Sequence, residues 1–249
     1  MFWSTPVCPV PAEDKEWLED AFIWLTEEFG ARTLREARVI LPTGEFFPDP
    51  YAGDVESLHK MLRRVCGYMG VDYSRVDLRL LADEVKAPHP LAPVASSDVC
   101  GLYRKWRNRH QISVEENLLA HPEQLVATLA HELAHARLIG EDRVAADGDE
   151  DEDELLTDLA TFFFGFGVFT ANSLFIFEQW SNTQFSGWNA EWQGYMDEEM
   201  AGYSLALFAY ARGEKKPDWA RFLQINVKHY FKQSLKFLEK TGETKVKRL

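Results

Sequence analysis

The chain has 249 residues, 46% of them hydrophobic, and its 40 acidic and 27 basic side chains give a formal charge of −13. That length and apolar content suit one large domain or two lobes sharing a cleft. The acidic balance argues against general binding to nucleic acid or to an anionic membrane surface.

Cys8, Cys66 and Cys100 lack metal-ligand spacing and leave an odd thiol over, so they read as free cysteines of a reducing compartment. The opening Met-Phe-Trp-Ser-Thr-Pro has neither a basic nor an apolar signal region, and a cytoplasmic location is expected.

Residues 13–29 place Trp17, Leu18, Ala21, Phe22, Leu25 and Phe29 on one helical face, and Gly30 ends the helix. Ala37 to Leu41 reads as a short strand stopped by Pro42-Thr43-Gly44. Residues 45–53, with two prolines, are irregular. A second helix is expected from about Asp54 to Met69, with Gly70 as its stop, and a strand over Val76 to Leu81. Lys86 to Ser97 carries three prolines and reads as a loop. Gly101 to Trp106 and Gln111 to Glu115 flank the polar turn Arg107-Asn108-Arg109-His110 as a hairpin, with Ile112 and Val114 on one face.

Pro122 suits the first turn of the next helix, which has no further Gly or Pro until Gly140. Inside it stands His131-Glu132-Leu133-Ala134-His135, an H-E-x-x-H pattern. Histidines four residues apart lie about 40° apart around a helix and roughly 6 Å apart along it, so both imidazoles can reach one ion. Glu132 is placed to reach a water on that ion. The pattern is short and arises by chance in unrelated helices, so its surroundings must carry the argument.

Asp147 to Glu154 is the densest charge run, expected as a solvated acidic loop up to Glu152. Leu155 to Phe177 follows, with no charged residue between Asp158 and Glu178. Its length raises a membrane span, but its polar residues, glycines and non-basic flanks favour a central buried helix. Trp180 to Gln193 reads as an aromatic loop. Helices are expected over about Gly194 to Arg212 and Asp218 to Lys240, with a loose charged tail from Thr241.

A catalytic zinc takes three protein ligands and keeps one position open. A third ligand six residues past His135 would follow a glycine, but position 138 is Leu and position 141 is Glu. Glu154 lies 19 residues past His135 on the following helix, with Asp158 one turn later. Glu152, Asp151 and Asp153 are rivals for the ligand role.

The pairing of His131-Glu132-x-x-His135 with Glu154-x-x-x-Asp158 resembles the gluzincin branch of the zincin metallopeptidases, over roughly residues 110–170. The resemblance implies that His131, His135 and Glu154 hold Zn2+, that Glu132 is the general base and that Asp158 orients a ligand histidine. Such peptidases add a His or Tyr that stabilises the oxyanion. His229, Tyr230, Tyr195, Tyr203 and Tyr210 are the candidates.

The expected fold is α+β and zincin-like, a single domain of two lobes (1–140 and 141–249). In it a small twisted sheet, with an antiparallel edge strand near Gln111 to Glu115, packs on the motif helix, and the C-terminal part is mostly helical. The implied activity is zinc-dependent hydrolysis of a peptide or protein substrate, with no nucleic acid or membrane partner. The alternative is a metal-binding scaffold with a regulatory or interaction role.

Overall fold

The computed structural model describes residues 6–81, 101–145, 150–174 and 196–249, with side chains omitted at 150–152. The expected loops over Lys86 to Ser97 and Trp180 to Gln193, the start of the acidic run, Cys100 and Tyr195 lie outside them. The fold is α+β and mostly helical, with one small mixed sheet among the described residues. It divides into two compact units: Pro42–Ala146, and a discontinuous one formed by Met1–Leu41 with Asp147–Leu249.

In the continuous unit, helix α3 (Val55–Met69) begins where the Asp54 side chain accepts the Ser57 N–H at 2.8 Å. It ends at Gly70, whose left-handed backbone a side chain would strain. Strands β1 (Val76–Leu81), β2 (Gly101–Trp106) and β3 (Arg109–Glu115) form a sheet in the order β1-β3-β2. β1 runs parallel to β3 and β2 antiparallel to it, so among the described residues β2 is an edge, and the strand expected at the edge near Gln111 to Glu115 is instead central, paired on both sides. The hairpin turn is tighter than expected. Only Arg107 and Asn108 lie between the strands, Trp106 pairs with Arg109, and Arg107 takes φ 55° to close it. His110, expected in the turn, is instead a buried strand residue.

A short 3-10 segment, Glu116–Ala120, leads into α4 (Pro122–Leu138), with Pro122 in its first turn. α4 packs against α3 and β2. Ile112, Val114, Leu125, Leu129, Leu133, Leu58, Leu62 and Val65 are fully buried in this unit. At the far end of α4 the Arg137 guanidinium donates to the Met69 carbonyl and pairs with Glu141 at 2.7 Å.

In the discontinuous unit, α1 (Ala12–Phe29) and α2 (Ala31–Glu36) are joined at Gly30. They precede α5 (Glu150–Phe163), α6 (Glu198–Ala211) and α7 (Ile225–Thr241). α6 is buried along almost its whole length and packs on α7, α1 and α5. Its crossing with α7 is close at Gly202, where a Cβ would stand 2.8 Å from the Phe231 nitrogen.

Several expectations are corrected here. Residues 37–41 are not a strand: Ile40 N–H donates to the Gly165 carbonyl at 2.9 Å, and Arg212 reaches the Leu34 and Ala37 carbonyls. These bonds satisfy the extended backbone without a ladder. The acidic run is helical from Glu150 onward, so its carboxylates begin a helix, where the helix dipole favours them.

The apolar stretch is not one helix. It breaks at Gly165 (φ 90°) and is helical again over residues 167–174. A Cβ on Gly165 would overlap the Arg38 carbonyl oxygen. No helix among the described residues is long and apolar enough to cross a membrane.

Asp218 to Lys240 is likewise divided. A 3-10 turn (Asp218–Phe222) and α7 are separated because Asn172 takes the backbone there, donating to the Phe222 carbonyl and accepting from Gln224 N–H, both at 2.9 Å. The tail from Thr241 is held. Lys245 N–H donates to Glu19 at 3.0 Å, its ammonium meets Glu16 and Asp20, Val246 is buried, and Leu249 N–H reaches the Ala211 carbonyl.

Candidate metal centre

α4 supplies the histidine pair. The rings of His131 and His135 stand 4.9 Å apart between centroids and at 84° to one another, close neighbours because they are four residues apart on one helix. His131 is half-buried, while His135 and the intervening Glu132 are buried.

Strand β2 passes against this stretch. A Cβ built on Gly101 would overlap Glu132 Oε1 and lie 2.8 Å from Thr128 Cγ2, so only glycine leaves the carboxylate its place. Two residues along β2, the Tyr103 ring is near-parallel to His135, with centroids 5.8 Å apart. Its hydroxyl meets His110 Nδ1 at 3.1 Å. Burial pushes the Tyr103 phenol up to about 12 and holds the His110 imidazole below its ordinary value, so both are neutral at pH 7. Gly140 makes room for this pair, since a Cβ there would stand 2.7 Å from both the Tyr103 hydroxyl and His110 Cε1.

Sequence reasoning overlooked Gly101, Tyr103 and His110. The alternation along β2 carried a usable signal: residues 101, 103 and 105 share a face.

On α5, Glu154 is half-buried and Asp158, one turn later, is buried. The Asp158 carbonyl accepts from Thr161 Oγ1 at 2.7 Å. Among the described residues, His131, His135 and Glu154 form a group that could hold a metal ion, each offering one ligand atom, all within 4.8 Å of one another. Asp153 is half-buried and does not belong to that group. The side chains of the other two rivals, Asp151 and Glu152, are outside the described residues.

Two imidazole nitrogens and one carboxylate oxygen are a donor set that suits zinc with one position left open. The residues present therefore fit the ion.

The oxyanion candidates are placed as follows. Tyr203 is fully buried and donates to Glu19 at 2.6 Å. His229 is exposed and meets the Gln233 amide at 2.8 Å. Tyr230 hydrogen-bonds Glu199, which pushes its phenol up. The Tyr210 ring lies 4.6 Å under the Arg248 guanidinium. Among the described residues, His229 is not part of the candidate group of His131, His135 and Glu154.

Compared with protein-family models, curated proteins and solved structures, the chain matches none.

Proposed function

We propose that the chain is a zinc-dependent metallopeptidase with a zincin-like arrangement, acting on peptide or protein substrates in the cytoplasm. The observation that carries the reading is the close group of His131, His135 and Glu154, with the buried carboxylate of Glu132 between the two histidines in sequence. Bound there, zinc would supply Lewis acidity toward the scissile carbonyl and make water easier to deprotonate near neutral pH.

The chain's own residues do the rest. His131, His135 and Glu154 hold the ion. Glu132 accepts a proton from the water as its oxygen attacks the carbonyl carbon, then delivers that proton to the departing nitrogen as the C–N bond breaks. Asp158 positions a ligand imidazole by accepting its second ring N–H. Strand β2, which among the described residues has β3 on one side only, offers its other edge to an extended substrate, whose backbone would pair with it. Gly101 keeps that edge from displacing the base.

The second reading is a metal-binding scaffold that hydrolyses nothing efficiently. It is favoured by the commitments of Tyr203 and His229 to other partners.

Metal analysis of the purified protein, with a peptide-library assay of wild type and Glu132→Gln, tests both. One zinc per chain, cleavage by wild type and retained zinc without cleavage in Glu132→Gln support the peptidase. Zinc without cleavage by either protein supports the scaffold, and absence of zinc uptake overturns both.

A further inference from the structure

We propose that the groove between the turn at residues 215–221 and helix α7 docks an extended, carboxylate-rich peptide segment of a partner protein. It is an open groove of about 550 Å³ lying wholly within the discontinuous unit. Its rim carries six cations, Lys215, Lys216, Arg221, Lys228, Lys232 and Lys236, against two acids, Asp218 and Glu239. One of those acids is already neutralised, because Glu239 pairs with Arg248 at 2.5 Å. The floor is apolar and buried, formed by Ala220, Phe231 and Leu235.

This patch runs against the balance of the whole chain, whose formal charge is −13. A chain with 40 acidic residues has ample means to pair six cations. Yet Lys215, Lys216, Lys232 and Lys236 have no ion-pair partner among the described residues. Like charges gathered on one rim repel one another, an arrangement that an anionic occupant relieves.

Spacing selects the occupant. Lys228, Lys232 and Lys236 follow one another every four residues along α7, so they rise by about 6 Å per step on one side of the helix. An extended peptide advances about 3.3 Å per residue, which puts every second side chain on one face about 6.6 Å apart. Acidic residues at alternate positions therefore meet successive lysines. Apolar residues between them face the floor. Nucleic acid fits less well, because the floor offers one buried phenyl ring and no exposed aromatic platform for bases.

Fluorescence anisotropy on the full chain tests the proposal, with three dye-labelled probes: an octapeptide alternating aspartate and leucine, the same peptide with asparagine for aspartate, and a short single-stranded oligonucleotide. The aspartate peptide is expected to bind at least about tenfold more tightly than either other probe. Its binding should fade as salt approaches about 1 M, where the Debye length is about 3 Å. Lys232→Glu with Lys236→Glu should weaken it at least about tenfold. Lys232→Arg with Lys236→Arg, which keeps the charges, should retain it.

Equal binding of the asparagine peptide, indifference to the charge reversals, preference for the oligonucleotide, or no binding would each overturn the proposal. The readout needs no zinc, so the groove and the metal centre fail or stand separately.

Discussion

Glu19 and Tyr203, 184 positions apart, are joined by a 2.6 Å hydrogen bond in which the phenol donates to the carboxylate, both groups buried. The same carboxylate accepts from Lys245 N–H at 3.0 Å and meets the Lys15 ammonium at 2.9 Å. One buried charge thus fastens α1, α6 and the tail. Tyr203→Phe keeps the ring and removes one donor to an ionised acceptor. A loss of about 1.5–3 kcal/mol is expected in urea denaturation.

The same carboxylate sets an acid limit. Burial pushes Glu19 up, but the bonds from Lys245, Tyr203, Lys15 and Thr244 together outweigh it and hold the group below its ordinary value. A carboxyl depressed in the folded state binds fewer protons there than in the unfolded chain. Its contribution is therefore complete above the unfolded value of about 4.3 and is lost as pH falls through the folded value. Wild type should exceed Glu19→Gln in melting temperature at pH 7. The gap should close below about pH 4. A gap that stays constant down to pH 3 would contradict this assignment.

Gly101→Ala tests the contact between β2 and the proposed base. The new methyl meets the Glu132 carboxylate and Thr128 Cγ2, both ends of side chains, so the carboxylate gives way before the strand does. Stability should drop by only about 1 kcal/mol. Zinc stoichiometry should stay unchanged, while kcat falls at least about tenfold. Wild-type kcat in this variant would separate Glu132 from proton transfer.

The two acids of α5 should differ in kind. Glu154→Ala deletes one of three proposed ligands and should nearly abolish zinc uptake. Asp158→Asn leaves the ligands but weakens an acceptor, for which about 10–100-fold in affinity is the usual loss. Competition against a chelating dye measures both, with Glu152→Ala as control. A damaging Glu152→Ala would move the third ligand half a turn earlier.

Much of this architecture was legible because its signals are local. Gly30 and Gly70 end helices, Asp54 caps one, Pro122 opens another, and the alternation of Ile112 and Val114 marks an inward strand face. The helical spacing of His131 and His135 needed no tertiary information either. What stayed hidden depends on distant partners. Residues 37–41 have the composition of a strand, but Gly165 and Arg212 take their backbone groups. The gap before α7 belongs to Asn172, about fifty residues upstream. The charged tail looked loose because Glu16, Glu19 and Asp20, which hold it, lie more than two hundred residues away. Tyr103 and His110 escaped notice because a two-residue turn, tighter than the polar stretch suggests, lifts His110 into the sheet.

Gly165→Ala should be among the most damaging single changes. Its φ of 90° lies in the left-handed region, and the added Cβ meets backbone, the Arg38 carbonyl, which cannot swing aside. Strain of this kind costs about 1–3 kcal/mol before the clash is added. The melting temperature of this variant, compared with that of Gly44→Ala, where a Cβ meets nothing within 4 Å, isolates the effect.

The split of one unit across both ends of the chain imposes a timetable on biosynthesis. Residues 42–146 form one compact unit and can condense as soon as they leave the ribosome. Residues 1–41 emerge first yet find their packing partners only after residue 147. At about 5–20 residues per second, the hundred or so residues still to be translated hold α1 in waiting for roughly 5–20 s. Its apolar face, with Leu18, Phe22 and Leu25, is uncovered for that interval. A nascent chain stalled in the second half would therefore be a ready client for chaperones that bind exposed hydrophobic helices.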